Sequence, residues 1–422
     1  MNGNPRAEPM PRLLLASQLI FNLGFYSVVP FLAVSLREDF GMGAMAVGIV
    51  LGARTFAQQG LFFVGGAAAD RWGARPVMIA GCLARISGYL LLIWASDFPL
   101  FLLGAVITGV GGALFSPALE SLVGGAEERR AALQPRKTSL FALLVIFGEV
   151  GAVAGPLLGS ILLQTGFDTA LLAGSGVFAV MAVVFNAFLP ATTASAVAPS
   201  VKHPGAAPPS DAWSCLREKR FVAFAAFYSV NLFAYNQLYF GLPIELERSD
   251  AGLGALSAVF AYASILTITL QWPIAGLMKR KGPGAALAVG FAVQGLGFVA
   301  IAAMAVLPAP AAFPALPAFL LVTALALGHM CVAPVAMDLV LEYAAGRPTG
   351  AYYGLLASCG GTMVLLGNVA LAPLYEQATT PSLAAAAPWL VSAIFAAASA
   401  ALIHRFLAAP VPAPRTQQLH PA

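Results

Sequence analysis

The sequence predicts an all-α membrane protein, with twelve transmembrane helices in two six-helix bundles and both termini on the cytoplasmic face. Three observations carry that prediction. Of 422 residues, 59% are hydrophobic and only 9% charged, against roughly a quarter charged in a soluble domain. Apolar runs between the charges repeatedly exceed the ~20 residues that cross ~30 Å of hydrocarbon. None alternates in the manner of a barrel strand, so helices are the only way to satisfy the backbone in lipid. Lastly, the basic residues are one-sided. Assigning the even-numbered connections and both termini to one face puts 18 of the 22 lysines and arginines there, leaves Arg37 and Arg248 alone on the other, and leaves Arg54 and Arg85 inside spans. The positive-inside rule makes the rich face cytoplasmic. The net charge of +4 then matches the anionic head groups of an inner (plasma) membrane bilayer rather than nucleic acid.

The spans are expected at about 13–36, 44–69, 76–96, 98–122, 138–163, 169–189, 220–244, 253–277, 284–307, 316–342, 350–374 and 386–407. The first follows MNGNPRAEPMPR but is too long for a signal-peptide core and lacks a small-residue cleavage site, so it is read as retained. The second ends at GGAAADRWG (Gly65–Gly73) and the fourth at SPALE (Ser116–Glu120), while the fifth contains GEVGAVAGPLLGS (Gly148–Ser160). After the sixth, Pro190 to Ser214 is rich in Pro, Ala and Ser, with nothing to offset the entropy of ordering. Residues 190–218 are therefore read as a cytoplasmic linker between an N-terminal bundle, 1–189, and a C-terminal bundle, 219–422. The eighth span ends at GLMKRKG (Gly276–Gly282) and the tenth at APVAMD (Ala333–Asp338), weak echoes of the second and fourth. No charge separates the ninth from the tenth, and they are divided at LPAPAAFPALP (Leu307–Pro317). Six plus six helices with an internal repeat is the physical signature of a secondary transporter.

Cofactors, metals and catalytic centres are not expected. Cys82, Cys215, Cys331 and Cys359 show no ligand-type spacing. Lys137-Thr138 is the sole Lys-Thr or Lys-Ser pair, and AALQPR before it lacks the glycines of a phosphate loop. An ion gradient is the expected energy source.

Two glycine-containing stretches carry more. In Gly66-Ala-Ala-Ala-Asp70-Arg71-Trp72-Gly73-Ala74-Arg75, Asp70 closes a helix beside that helix's own negative end. A carboxylate is unfavourable there and needs an outside partner. Gly73 supplies the tight turn, and Arg71 and Arg75 supply ion pairing and topology, unless all these charges only fix topology. In span five, Gly151, Gly155 and Gly159 stand four apart and share one face, which allows close helix approach, and Pro156 bends the helix. The first stretch resembles the loop 2–3 signature of the major facilitator superfamily, G-x-x-x-D-R-x-G-R-R, with Ala74 in place of one arginine. The second resembles that superfamily's antiporter signature, G-x-x-x-G-P-x-x-G-G, with Ser160 in place of the last glycine. Arg54–Arg85 and the LLGSILLQ that ends span five are similar to the drug/proton antiporter branch of multidrug-resistance type.

The resemblance implies the major facilitator fold and a conformational latch at Gly66, Asp70, Arg71, Gly73 and Arg75. In it the helix-eleven N-terminus at Pro348-Thr349-Gly350 would hold Asp70 in one transport state. The resemblance also implies packing of the span-five glycines on helix eight. The branch's helix-four arginine is Ala105 here, so no proton-relay role carries over to that position.

Glu149, Arg54 and Arg85 are ion-coupling candidates. Glu149 lies about 16 Å into its span at ~1.5 Å per residue, beyond the reach of snorkelling. Each such charge costs at least ~2.5 kcal/mol at the bilayer centre, so all three are expected to face inward and pair. Glu149 either titrates beside an arginine and couples protons to substrate release, or belongs to a static ion pair. Cavity candidates are Gln18, Asn22 and Tyr26 in helix one and Asn231, Tyr235 and Asn236 in helix seven, alongside Tyr228, Gln237 and Tyr239. That mixture of rings and amides suits variable amphipathic ligands, and a sugar or amino-acid derivative nearly as well. Glu120 and Asp338, at matching places near the ends of helices four and ten, either draw cationic substrate or are solvated helix-end carboxylates. His329 is a proton carrier or, as a lone histidine more often is, a structural residue.

These readings converge on a non-enzymatic, monomeric secondary transporter that exchanges protons for small amphipathic molecules in multidrug efflux. A same-fold importer or metabolite exporter is the nearest alternative. A non-transporting sensor has little to signal with, because no loop exceeds the linker in length.

Overall fold

A computed structural model describes residues 11–133, 140–189, 214–344 and 350–408, and no strand occurs among them. Among the described residues, eleven helices are long and apolar enough to cross a membrane. They are Pro11–Glu38, Ala44–Ala69, Ala74–Trp94, Phe98–Ala126, Leu143–Leu163 and Phe167–Phe188, then Gly254–Lys281, Pro283–Ala305, Leu316–Ala344, Tyr352–Glu376 and Leu383–Ile403. These are spans one to six and eight to twelve. Span seven consists of two helices, Lys219–Asn236 and Gly241–Arg248. It is the least apolar because it concentrates Tyr228, Asn231, Tyr235, Asn236 and Gln237, groups that lipid would not accept and a protein interior does. Most of the expected linker, 190–213, lies outside the described residues.

Spans one and seven break at equivalent places. Span one stops at Tyr26 and restarts at Val29 with Pro30 in its first turn. Span seven stops at Asn236 and restarts at Gly241, two residues before Pro243. Proline lacks the N–H that would continue the earlier helix, and it fits the first turn of the next. A second internal correspondence closes spans two and eight. Gly73 (φ 90°, ψ 153°) and Gly282 (φ 80°, ψ 161°) end them with nearly the same positive-φ geometry, which a side chain with Cβ resists.

Span four departs from expectation. Its helix does not end near 122 but runs from Phe98 to Leu133, since no proline follows Pro117 until Pro135. Spans three and four, three and six, one and five, and two and four pack on each other. Adding six to each number gives the pairs nine and ten, nine and twelve, seven and eleven, and eight and ten, all of which also pack. Between the two sets, the extended contacts are span two on eleven and span five on eight. Exchanging the sets leaves that pattern unchanged, as a pseudo-two-fold relation requires.

Candidate functional site

Where spans one, five, seven and eight meet, the two sets of six share a polar cluster. Glu149 on span five is half-buried and lies beside the buried Ser264 of span eight. Tyr26 on span one and Tyr239 on span seven are neighbours across the seam. Both, together with Tyr235, lie within electrostatic reach of Glu149. The helix breaks deliver these groups: Tyr26 is the last residue before one break and Tyr239 sits inside the other. Interrupted helices free polar groups where a cavity needs them. The Tyr239 ring packs 5.3 Å from Phe260, and Tyr235 lies 4.7 Å from the His329 ring.

Arg54 and Arg85 form a separate cluster. Arg85 is 0% exposed and Arg54 5%. The Arg85 guanidinium carbon stands 4.6 Å from the Phe21 ring centroid, 5.0 Å from Phe25 and 5.4 Å from Phe178. Arg54 is 4.8 Å from the same Phe25 ring and donates from Nη2 to Gln58 Oε1 at 2.8 Å. Sharing one ring keeps the two guanidinium carbons within about 10 Å, where like charges repel by roughly 1.5–2 kcal/mol at an effective dielectric of ~20. The Tyr89 hydroxyl lies near Arg85 but donates to the Gly24 carbonyl at 3.2 Å.

Among the described residues neither arginine pairs with a carboxylate. The expected partnership with Glu149 is therefore corrected, and span one is the reason. Its Phe21 and Phe25 face the arginines, whereas Asn22 and Tyr26 face span five.

The same geometry corrects the expected packing of the span-five glycines. Gly151, Gly155 and Gly159 lie on span one, against the Leu19, Leu23 and Ser27 carbonyls, which are themselves four residues apart. Span eight meets another face of span five, where Ser257 Oγ donates to the Pro156 carbonyl at 3.1 Å.

Most amide candidates are occupied by packing. Asn22 donates to the Gly148 carbonyl at 2.9 Å, and Gln18 reaches Asn22 at 3.4 Å. Asn231 is buried, accepts from Gln294 at 2.9 Å and contacts His329 Nδ1 at 3.1 Å. Asn236 accepts from Asn368 at 3.2 Å and donates to Thr55 at 3.4 Å, tying spans two, seven and eleven together. Glu120 and Asp338 are exposed. They are not helix-end groups, because their helices continue to Leu133 and Ala344.

In the expected latch, Gly73 ends its helix as anticipated, Gly66 lies 3.9 Å from Pro117 by the position its Cβ would take, and Arg71 is exposed. Arg75 donates to Asn186 at 2.6 Å. The side chain of Asp70 and its expected partners Pro348 and Thr349 lie outside the described residues.

Some contributors carried no sequence signal, Ser264 above all. Others did. Arg37 and Arg248, the two exceptions to the charge asymmetry, both form ion pairs. Arg37 meets Glu247 at 2.9 Å between the two sets, and Arg248 pairs with the buried Glu245. At the same end the Met45 N–H donates to Glu376 at 3.3 Å.

The profile of the Major Facilitator Superfamily matches residues 14–368. The chain is 32% identical over 379 residues to an uncharacterized MFS-type transporter of Mycobacterium tuberculosis (strain ATCC 25618 / H37Rv), covering 87% of this chain and 86% of that one. It is 30% identical over 387 residues to multidrug resistance protein MdtH of Shigella dysenteriae serotype 1, covering 90% of each. Among solved structures, the nucleoside transporter NupG superposes with a TM-score of 0.73 at 15% identity, over 95% of this chain and 99% of that one. An auto-inhibited POT family peptide transporter does so with 0.73 at 15%, over 98% of both. Identities that low speak to the fold alone.

Proposed function

This chain belongs to the Major Facilitator Superfamily of membrane transport proteins, and we propose that it exports small amphipathic molecules in exchange for protons by alternating access. In this reading it acts as a monomer in an inner (plasma) membrane, with both termini cytoplasmic. The observation that carries the reading is the placement of Glu149 beside Ser264 at the seam. The two residues belong to opposite sets of six helices, so any rocking of one set against the other changes what surrounds the carboxylate. An ionised Glu149 favours the arrangement that leaves it hydrated, and a protonated one tolerates closure around it. Tyr26, Tyr235 and Tyr239 offer rings with hydroxyl tips beside that group, a surface suited to amphipathic ligands. Likeness to multidrug resistance protein MdtH supports the substrate class. The polar ties at the Arg37 end and the exposed Glu120 and Asp338 support a conformation closed on the outer side.

Inverted membrane vesicles test the reading, with a compound chosen by a susceptibility panel in an efflux-deficient host. An imposed proton gradient is expected to drive that compound into the vesicles. Glu149→Gln is expected to abolish gradient-driven accumulation while retaining exchange of labelled for unlabelled compound. Gradient-driven uptake at the unaltered rate in Glu149→Gln would overturn the coupling role, and uptake only in right-side-out vesicles would overturn the direction.

A further inference from the structure

We propose that Arg54 and Arg85 form a subsite for the carboxylate of an aromatic, amphipathic organic anion. The inference rests on the transporter reading and gives it a substrate class. Nε, Nη1 and Nη2 of Arg85 and Nε of Arg54 are buried with no acceptor among the described residues. Folded proteins seldom leave such donors orphaned, least of all on permanently charged groups. The Phe21, Phe25 and Phe178 rings soften the charge but accept no conventional hydrogen bond. Two cations therefore share one aromatic box with their donors unspent.

The box is built rather than incidental. Span four presents Gly111 and Gly112 to it. A Cβ on Gly112 would stand 2.7 Å from Arg85 Nη2 and 3.0 Å from Gln58 Cδ, and one on Gly111 would stand 2.6 Å from Arg85 Cγ. The half-buried Gln58 fixes Arg54 from one side. Tyr26 and Tyr239 of the seam lie within electrostatic reach of Arg54, which places the box beside the boundary between the two sets of helices. Span one turns the protein's own Glu149 away, and the Tyr89 hydroxyl near Arg85 is directed to the Gly24 carbonyl, so neither supplies the missing acceptors. A carboxylate presents two oxygens to a planar guanidinium fork, and an attached ring extends the stacking already present. A cationic ligand meets two like charges there, and a neutral one leaves the donors unmet.

Binding to the purified full-length protein, measured with 2-naphthoate, 2-naphthamide and 2-naphthylmethylammonium at one pH, tests this. Wild type is expected to prefer naphthoate over naphthamide by about tenfold or more, the effect of charge-assisted hydrogen bonds. Arg54→Gln and Arg85→Gln are each expected to erase the preference while naphthamide affinity stays within about twofold. Arg54→Lys, which keeps the charge without the fork, is expected to retain part of it. Gly112→Ala, which crowds the box with both charges in place, is expected to weaken it. Equal binding of naphthoate and naphthamide to wild type overturns the proposal, as does a preference that persists in either Gln variant. Should Arg85→Gln fail to fold, Arg54→Gln and Gly112→Ala decide between the same outcomes. Acid selectivity without gradient-driven transport of any compound overturns the transporter reading and leaves the subsite standing. Transport without acid selectivity does the reverse.

Discussion

A methyl group added at Gly155 would stand 2.5 Å from Tyr26 Cβ and 3.1 Å from the Leu23 carbonyl, so the identity of that residue decides how closely spans one and five approach. Gly155→Ala is expected to cost about 1–3 kcal/mol through overpacking and to displace Tyr26 from the Glu149 cluster. Gly176→Ala is the control. Nothing lies within 4 Å of its added carbon, and alanine should be neutral or stabilise by up to about 1 kcal/mol. Thermal unfolding of the two variants in detergent checks this, and equal melting temperatures would contradict the seam as described. At this scale the four-residue glycine spacing was readable in the sequence as a close-approach face. Its partner was not, because the spacing says how near a neighbour comes and nothing about which neighbour it is.

The helix breaks and the ion pair beyond them operate at the scale of elements. Each break carries its segment into a run ending at a charged tip: Arg37 on span one and Glu247 on span seven. The side chain of Arg37 is 15% exposed and that of Glu247 49%, which limits a pair of this kind to about 0.2–1 kcal/mol. Removing it should therefore bias the two-state equilibrium by no more than about fivefold, toward opening at that end. Arg37→Glu and Glu247→Arg are each expected to raise the reactivity of a cysteine placed at Tyr239 toward a membrane-impermeant maleimide. The double exchange is expected to restore protection, and an additive double mutant would show that the two residues do not act as a pair. Pro30 and Pro243 mark the breaks in the sequence. Reading them as breaks rather than as kinks needed the backbone, since a proline permits either outcome in a membrane helix.

For the whole molecule, the helix-pairing pattern survives exchange of the two sets, the symmetry that the proposed alternating access requires. The orientation proposed for it is open to direct labelling. Asp250 and Lys281 are both exposed and lie at opposite ends of span eight. In a variant without the four native cysteines, Asp250→Cys is expected to react with an impermeant maleimide in intact cells, and Lys281→Cys only after lysis. The opposite result would invert the topology and, with it, the proposed direction of transport.

The sequence by itself determined the number and approximate centres of the spans, the two-fold repetition and the one-sided distribution of basic charge. Each of these follows from the transfer of a local segment between water and lipid, a property the segment carries wherever it packs. Tertiary structure alone decided which face of span one meets which neighbour. That rotation sends Phe21 and Phe25 to the arginines and Asn22 and Tyr26 to span five. It parts Glu149 from Arg54 and Arg85 and gives it Ser264 instead. In a soluble helix a broad polar face fixes the rotation, but a membrane helix with only a few polar side chains takes its rotation from packing.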